Sequence, residues 1–280
     1  MTRGVLLFAT NNTSINYVKQ AHFLATRIRK FMGLPTSIVT STDIEKQYPE
    51  WANDFDHIEY SNLMFHNATR KRYADGDLSD KIMPFYNKNR SYAYDVTPYT
   101  ETLVMDTDFV ICNDILNNCF EQQKDVMLYK DANHVGIWRN TPEFERISDT
   151  SIDFYWATVF FFRKTNVTKI FFDLIKHIEQ NYMHYRNIYQ FKTTTFRNDF
   201  AFSIAVHIMN GYQRGNFAGL LPGKKFYAID KDVVLDIVND EIKLLVQKEK
   251  RLGEYTGVNL KGSNCHVMNK FSLERVIDNQ

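Results

Sequence analysis

The chain has 280 residues, 44% of them apolar and 24% charged, enough to bury a large core as one α/β domain or one with a modest appendage. A formal charge of +1 excludes a surface built throughout to attract polyanions and leaves room for a local basic face. Cys112, Cys119 and Cys265 are odd in number and match no zinc-ligand spacing, which predicts a reduced, cytoplasmic setting.

In chain order, Gly4 to Ala9 reads as a buried strand whose apolar part is too short for a signal-peptide core. Thr10 to Ser14 supplies a polar loop and helix-capping residues. From Ile15 to Met32, Val18, Ala21, Phe23, Leu24, Ile28 and Phe31 fall mainly at helical spacing, with Arg27, Arg29 and Lys30 towards the C-terminal end, where the dipole favours cations. Gly33-Leu34-Pro35 ends this helix and Thr36 to Thr40 forms a second strand. Strand, helix and strand in that order predict a right-handed crossover and a parallel sheet, with the first loop at its ligand-binding carboxyl edge. Asp43 to Lys81 reads as polar and irregular, and Phe85 to Tyr99 as a Tyr-rich helical segment. Glu101 to Met105 is an apolar strand, Ser151 to Phe162 an aromatic one. Val167 to Tyr185 is expected to be an amphipathic helix with Ile170, Phe171, Leu174, Ile175 and Ile178 inward. Asn198-Asp199 opens a further helix, Phe200 to Met209, and short strands follow at Lys225 to Ile229, Ile242 to Gln247 and Tyr255 to Leu260. The longest apolar block, Trp156 to Phe162, stops at Arg163-Lys164, far short of a membrane span, so a soluble protein is expected.

Asp106-Thr107-Asp108 stands out among four Asp-x-Asp triplets because apolar runs flank it on both sides. A buried carboxylate pair is costly unless a cation neutralises it, and two carboxylates at this spacing suit a hard divalent cation that also grips a phosphate. Nucleotide-sugar chemistry is the expected outcome. Arg70-Lys71-Arg72-Tyr73, then Lys81, Lys88 and Arg90, interleave with Phe85, Tyr86, Tyr92 and Tyr94, a pattern that suits either a nucleic-acid backbone or a solvated face. Tyr155-Trp156 is read as core.

On these motifs the chain resembles glycosyltransferases of the GT-A fold, with family 8-like retaining enzymes the nearest kind. The resemblance implies a Rossmann-like, mostly parallel nucleotide-binding sheet in residues 1–115, and an acceptor side with a β-rich metal and phosphate segment in 116–280. It implies that Ala9, Thr10, Asn11 and Tyr17 hold the nucleotide, and that Asp106, Asp108 and His266 bind Mn²⁺ or Mg²⁺. Lys270 and Arg90, with Lys88 as alternative, would contact the donor phosphates of a UDP-linked sugar. The segment Cys265 to Lys270 departs from the family in lacking the glycine between histidine and lysine and the Pro-Trp that follows. Asp199 corresponds to a residue that points at sugar hydroxyls or acceptor, as base in an inverting enzyme or sugar contact in a retaining one. A looser likeness, to bacteriophage enzymes that decorate hydroxymethylated DNA, implies transfer of glucose or a pentose such as arabinose to 5-hydroxymethylcytosine in the host cytoplasm. A surface glycan or protein is the other acceptor class. The same aspartates approximate the nucleophile motif of haloacid dehalogenase-like phosphatases, although that family carries it near its N-terminus. A sugar- or nucleic-acid-binding module without turnover is the third alternative.

Overall fold

The computed structural model describes residues 2–61, 69–136, 145–148, 151–248 and 251–280. Its first half runs β1 (Arg3–Phe8), α1 (Tyr17–Met32), β2 (Thr36–Thr40), α2 (Ile44–Gln47), α3 (Pro49–Ala52), β3 (His57–Tyr60), β4 (Thr69–Ala74), β5 (Asp80–Phe85), α4 (Ala93–Val96), β6 (Glu101–Met105) and β7 (Phe109–Val110). There follow β8 (Val126–Tyr129), β9 (Ala132–His134), β10 (Trp156–Arg163), α5 (Asn166–Gln180), α6 (Tyr182–Tyr189), α7 (Asn198–Met209), β11 (Gly219–Leu220) and β12 (Lys225–Ala228). The C-terminal part contains β13 (Val233–Val238), β14 (Glu241–Gln247), β15 (Tyr255–Lys261), β16 (Cys265–Val267) and α8 (Lys270–Asp278).

A seven-stranded sheet in the order β11-β8-β10-β6-β1-β2-β3 forms the centre. Every neighbouring pair is parallel except those made by β10, which runs against both β6 and β8. The fold is therefore mixed α/β with a mostly parallel sheet, as expected. β1, β2, β6 and β8 are buried along almost their whole length, which is why β1 and β8 read as apolar runs rather than alternating ones. Gly4 sits on β1 because any Cβ there would lie 2.3 Å from the ring of the buried Tyr99. Helix α1 begins at Asn16, whose side chain accepts from Lys19 N, and ends at Gly33 in the left-handed region at φ 65°.

Three local expectations are corrected. Asp43 to Lys81 holds two short helices, β3 and most of the β4–β5 hairpin; the ribbon's outer residues are charged, so little apolar alternation betrays it. Phe85 to Tyr99 contains a single 3₁₀ turn at Arg90–Tyr92 and the four-residue α4 in place of a longer helix. Val167 to Tyr185 is split at Asn181 between α5 and α6, and Phe172, not the exposed Ile170, completes the inner face.

A second, four-stranded sheet, β7-β16-β12-β9, stands at the carboxyl end of β6. Its pairing fixes the site, because β7 leaves the central sheet just after the two aspartates.

Candidate active site

Asp106 continues β6 by donating its N–H to the Thr158 carbonyl at 2.9 Å, and its own carbonyl accepts from Phe109 N at 3.0 Å. That tight turn presents both Asp106 and Asp108 to one cavity of about 510 Å³. β7 then pairs antiparallel with β16, setting His266 opposite Phe109, and Val267 N donates to the Asp108 carbonyl at 2.8 Å. Directly after Met268, Asn269 caps α8 by accepting from Ser272 N, which fixes Lys270 as the first helical residue. Strand pairing and the Asn269 cap thus carry His266 and Lys270 across 158 and 162 positions to Asp108.

The Asp108 carboxylate accepts from the Lys270 ammonium and lies 3.2 Å from His266 Nε2. Asp106 is paired with Arg90 Nη2, supplied by the 3₁₀ turn. Burial acts alike on the two carboxyls, and their different partners drive them apart in pKa. At Asp106 burial raises the value and Arg90 only partly opposes it; at Asp108 the same burial is outweighed by Lys270 and His266, so it stays well below the usual carboxylate range. Burial lowers the His266 pKa despite the neighbouring Asp108, so the imidazole is neutral and able to act as a ligand. Burial also opposes charge on Lys270, yet Asp108 holds its pKa above the ordinary value.

One ligand atom from each of Asp106, Asp108 and His266 lies within 4.8 Å of the others. Two carboxylate oxygens and one imidazole nitrogen make a donor set suited to Mn²⁺ or Mg²⁺. Buried His266 Nδ1 has no hydrogen-bond partner among the described residues, a state that costs free energy unless something else engages the ring. The residues fit a divalent cation.

Tyr17 lines the cavity, its hydroxyl 2.9 Å from that of Tyr73. Ala9, Thr10 and Asn11 do not line it; they form the turn behind it. Ala9 N donates to Val39 O, Thr10 is clasped by Asn87 in both directions at 2.6 and 3.0 Å, and Asn11 Oδ1 accepts from Val18 N. Asn87, which sequence reasoning missed, lines the cavity and couples it to that turn.

Asp199 is the second residue of α7 and faces the cavity without capping the helix. One oxygen accepts from Ala157 N and the other from Arg197 Nη2, both at 2.8 Å. Burial works to raise its pKa, but Arg197 and the Ala157 N–H hold it below the ordinary range. Trp156 is buried as expected and also lines the cavity, while Lys225, with no sequence signal, lies fully buried against the Trp156 ring. Lys225 Nζ stands 3.3 Å from the Trp156 ring centroid and 3.2 Å from Thr158 Oγ1, and burial pushes its pKa down to about 7.

No family model matches the sequence, and no curated protein matches it in sequence. Among solved structures, the glycosyltransferase GlyE of Streptococcus pneumoniae is similar with a TM-score of 0.46 and 10% identity, over 79% of this chain and 45% of GlyE. The galactosyltransferase LgtC, solved with donor and acceptor sugar analogues, gives 0.45 and 10% identity over 78% of this chain and 72% of that one. Mouse xyloside xylosyltransferase 1 gives 0.47 and 10% identity over 79% and 85%. The chain thus spans less than half the length of GlyE. Among the described residues no helix is long and apolar enough to cross a membrane.

Proposed function

We propose that the protein is a metal-dependent glycosyltransferase that moves a sugar from a nucleoside-diphosphate sugar, UDP-linked, to an acceptor hydroxyl. The observation that carries this reading is the cluster of Asp106, Asp108 and His266 flanked by Arg90 and Lys270 in one cavity. Those first three residues would hold Mn²⁺ or Mg²⁺, which as a Lewis acid stabilises negative charge developing on the departing diphosphate. Arg90 and Lys270 balance the carboxylates in the free chain and are placed to neutralise phosphate oxygens in the donor complex. In this reading residues 1–115 serve the nucleotide, and 116–280 supply the acceptor side together with His266 and Lys270.

Asp199 is best suited to accept hydrogen bonds from sugar hydroxyls. Its depressed pKa and its two engaged oxygens make it a weak base for an acceptor hydroxyl, which favours a sugar-positioning role. Trp156 supplies an aromatic edge to the same cavity.

The acceptor reading, a hydroxymethylated base in DNA, is supported by the exposed Arg70 and Arg72 on the hairpin that lines the cavity. Duplex binding should then weaken steeply with added salt, and a flat response removes that acceptor. The cytoplasmic reading rests on the three cysteines, all free and buried.

The test of the main reading is hydrolysis of UDP-glucose and other UDP-sugars with Mn²⁺ or Mg²⁺ present and then chelated. Turnover that chelation stops, and that Asp106→Asn and Asp108→Asn each abolish, supports it. Donor binding without metal and without hydrolysis favours a non-catalytic module.

A further inference from the structure

The β4–β5 hairpin forms one wall of the cavity and is tied down at both ends. At its tip Asp75 takes two bonds from Arg275 at 2.7 and 2.9 Å, Gly76 N donates to Asp230 O, and Asp77 N donates to the Tyr255 hydroxyl at 3.0 Å. Towards its open end Tyr73 meets Tyr17, and Asn12 Nδ2 donates to the Pro84 carbonyl at 3.1 Å. A wall held at so many points positions its side chains before any ligand arrives.

Strand alternation places Lys71 with the buried Tyr73 on the inner face, away from Arg70 and Arg72. Its ammonium lies 5.1 Å from the Phe85 ring centroid and 5.5 Å from that of Tyr73, both rings of the cavity wall. Most neighbouring cations are already matched: Arg90 with Asp106, Lys270 with Asp108, Arg197 with Asp199, Lys88 with Glu179 and Arg72 with Asp80; Arg70, on the opposite face of the strand from Lys71, borders the cavity without an ion pair among the described residues. Among the described residues no carboxylate lies within ion-pair distance of Lys71. Although the residue as a whole is exposed, desolvation by the surrounding protein and the nearby Lys270 charge push its pKa down to about 8, so it is mainly protonated at neutral pH. An unmatched ammonium in the wall of the cavity that holds two already partnered carboxylates is a site for an anion, and the compact charge of a lysine suits a phosphate oxygen.

We propose that Lys71 is a donor-binding residue whose ammonium grips the diphosphate of the nucleotide sugar together with Arg90 and Lys270. This rests on the donor reading above and extends it to the hairpin, which lies outside the strand and C-terminal segment that supply the cluster. Titration calorimetry with two probes, UDP and uridine, in Mg²⁺ buffer separates the two claims. Lys71→Met should weaken UDP about tenfold or more and leave uridine unchanged, while Lys71→Arg should retain most of the UDP affinity. UDP binding by Lys71→Met equal to that of the unaltered protein overturns the role of Lys71 and leaves the donor reading standing. An equal loss for UDP and uridine also overturns it, because the lysine then shapes the pocket instead of meeting phosphate. Failure of the unaltered protein to bind UDP overturns both.

Discussion

Replacing Asp108 with asparagine removes a carboxylate that its partners keep ionised against its burial. The carboxylate is almost fully enclosed and is held by Lys270 and His266, so its loss strands a buried ammonium. Breaking such a pair costs about 3–5 kcal/mol, and because asparagine retains one acceptor oxygen for Lys270, about 2–3 kcal/mol is expected here. With an unfolding entropy of roughly 0.6 kcal/mol per degree for a chain of this length, Tm should fall by about 3–5 °C. Thermal melts in the presence of chelator measure this directly. The folded pKa of Asp108 is depressed, so its contribution is fully present above the unfolded carboxylate value and is lost as pH falls through the folded one. The gap between the two proteins should therefore be constant from about pH 8 to about pH 5 and close only below about pH 4. An unchanged Tm at neutral pH, or a gap that closes near the histidine range, would refute the reasoning.

Asp199→Asn should lower donor turnover about a hundredfold and leave UDP affinity unchanged, since UDP lacks the sugar that this carboxylate would hold; calorimetry and hydrolysis rates check both halves. Lys225→Met should raise Tm near neutral pH, because a buried lysine whose pKa falls to about 7 destabilises the fold at and below that pH. As the unfolded chain binds more protons than the folded one between about pH 7 and about pH 10, the gain should shrink across that window, and a gain that does not vary with pH counts against the assignment. Gly4→Ala drives a methyl group into the Tyr99 ring and should cost about 1–3 kcal/mol in denaturant melts, with Tyr99→Ala partly restoring the loss.

How far the site was legible depends on the type of contact. Asp106 and Asp108 could be singled out because β6 ends in an apolar run that stops at them, a local signal. His266 and Lys270 leave no such trace: the pairing of β16 with β7 involves two residue pairs, too short for any period, and only the resemblance suggested them. Lys225 was invisible because a fully buried lysine contradicts the usual partition of charge; it is retained by the Trp156 face, Thr158 and the carboxylates beyond. The hairpin carrying Lys71 was missed since Arg70, Arg72, Asp80 and Lys81 mask its alternation, although the basic run itself was noticed. Asp199 was located at its helix start, but its partners Ala157 and Arg197 follow from packing of α7 on β10, which no local pattern records.

The most direct test of the central claim is Mn²⁺ uptake in the presence of UDP, followed by electron paramagnetic resonance in the unaltered protein and in an Asp106→Asn, Asp108→Asn double variant. Loss of the free-ion signal with the first protein and its persistence with the second is the predicted result. Equal uptake by the two, or none by either, would contradict a metal centre built on these aspartates.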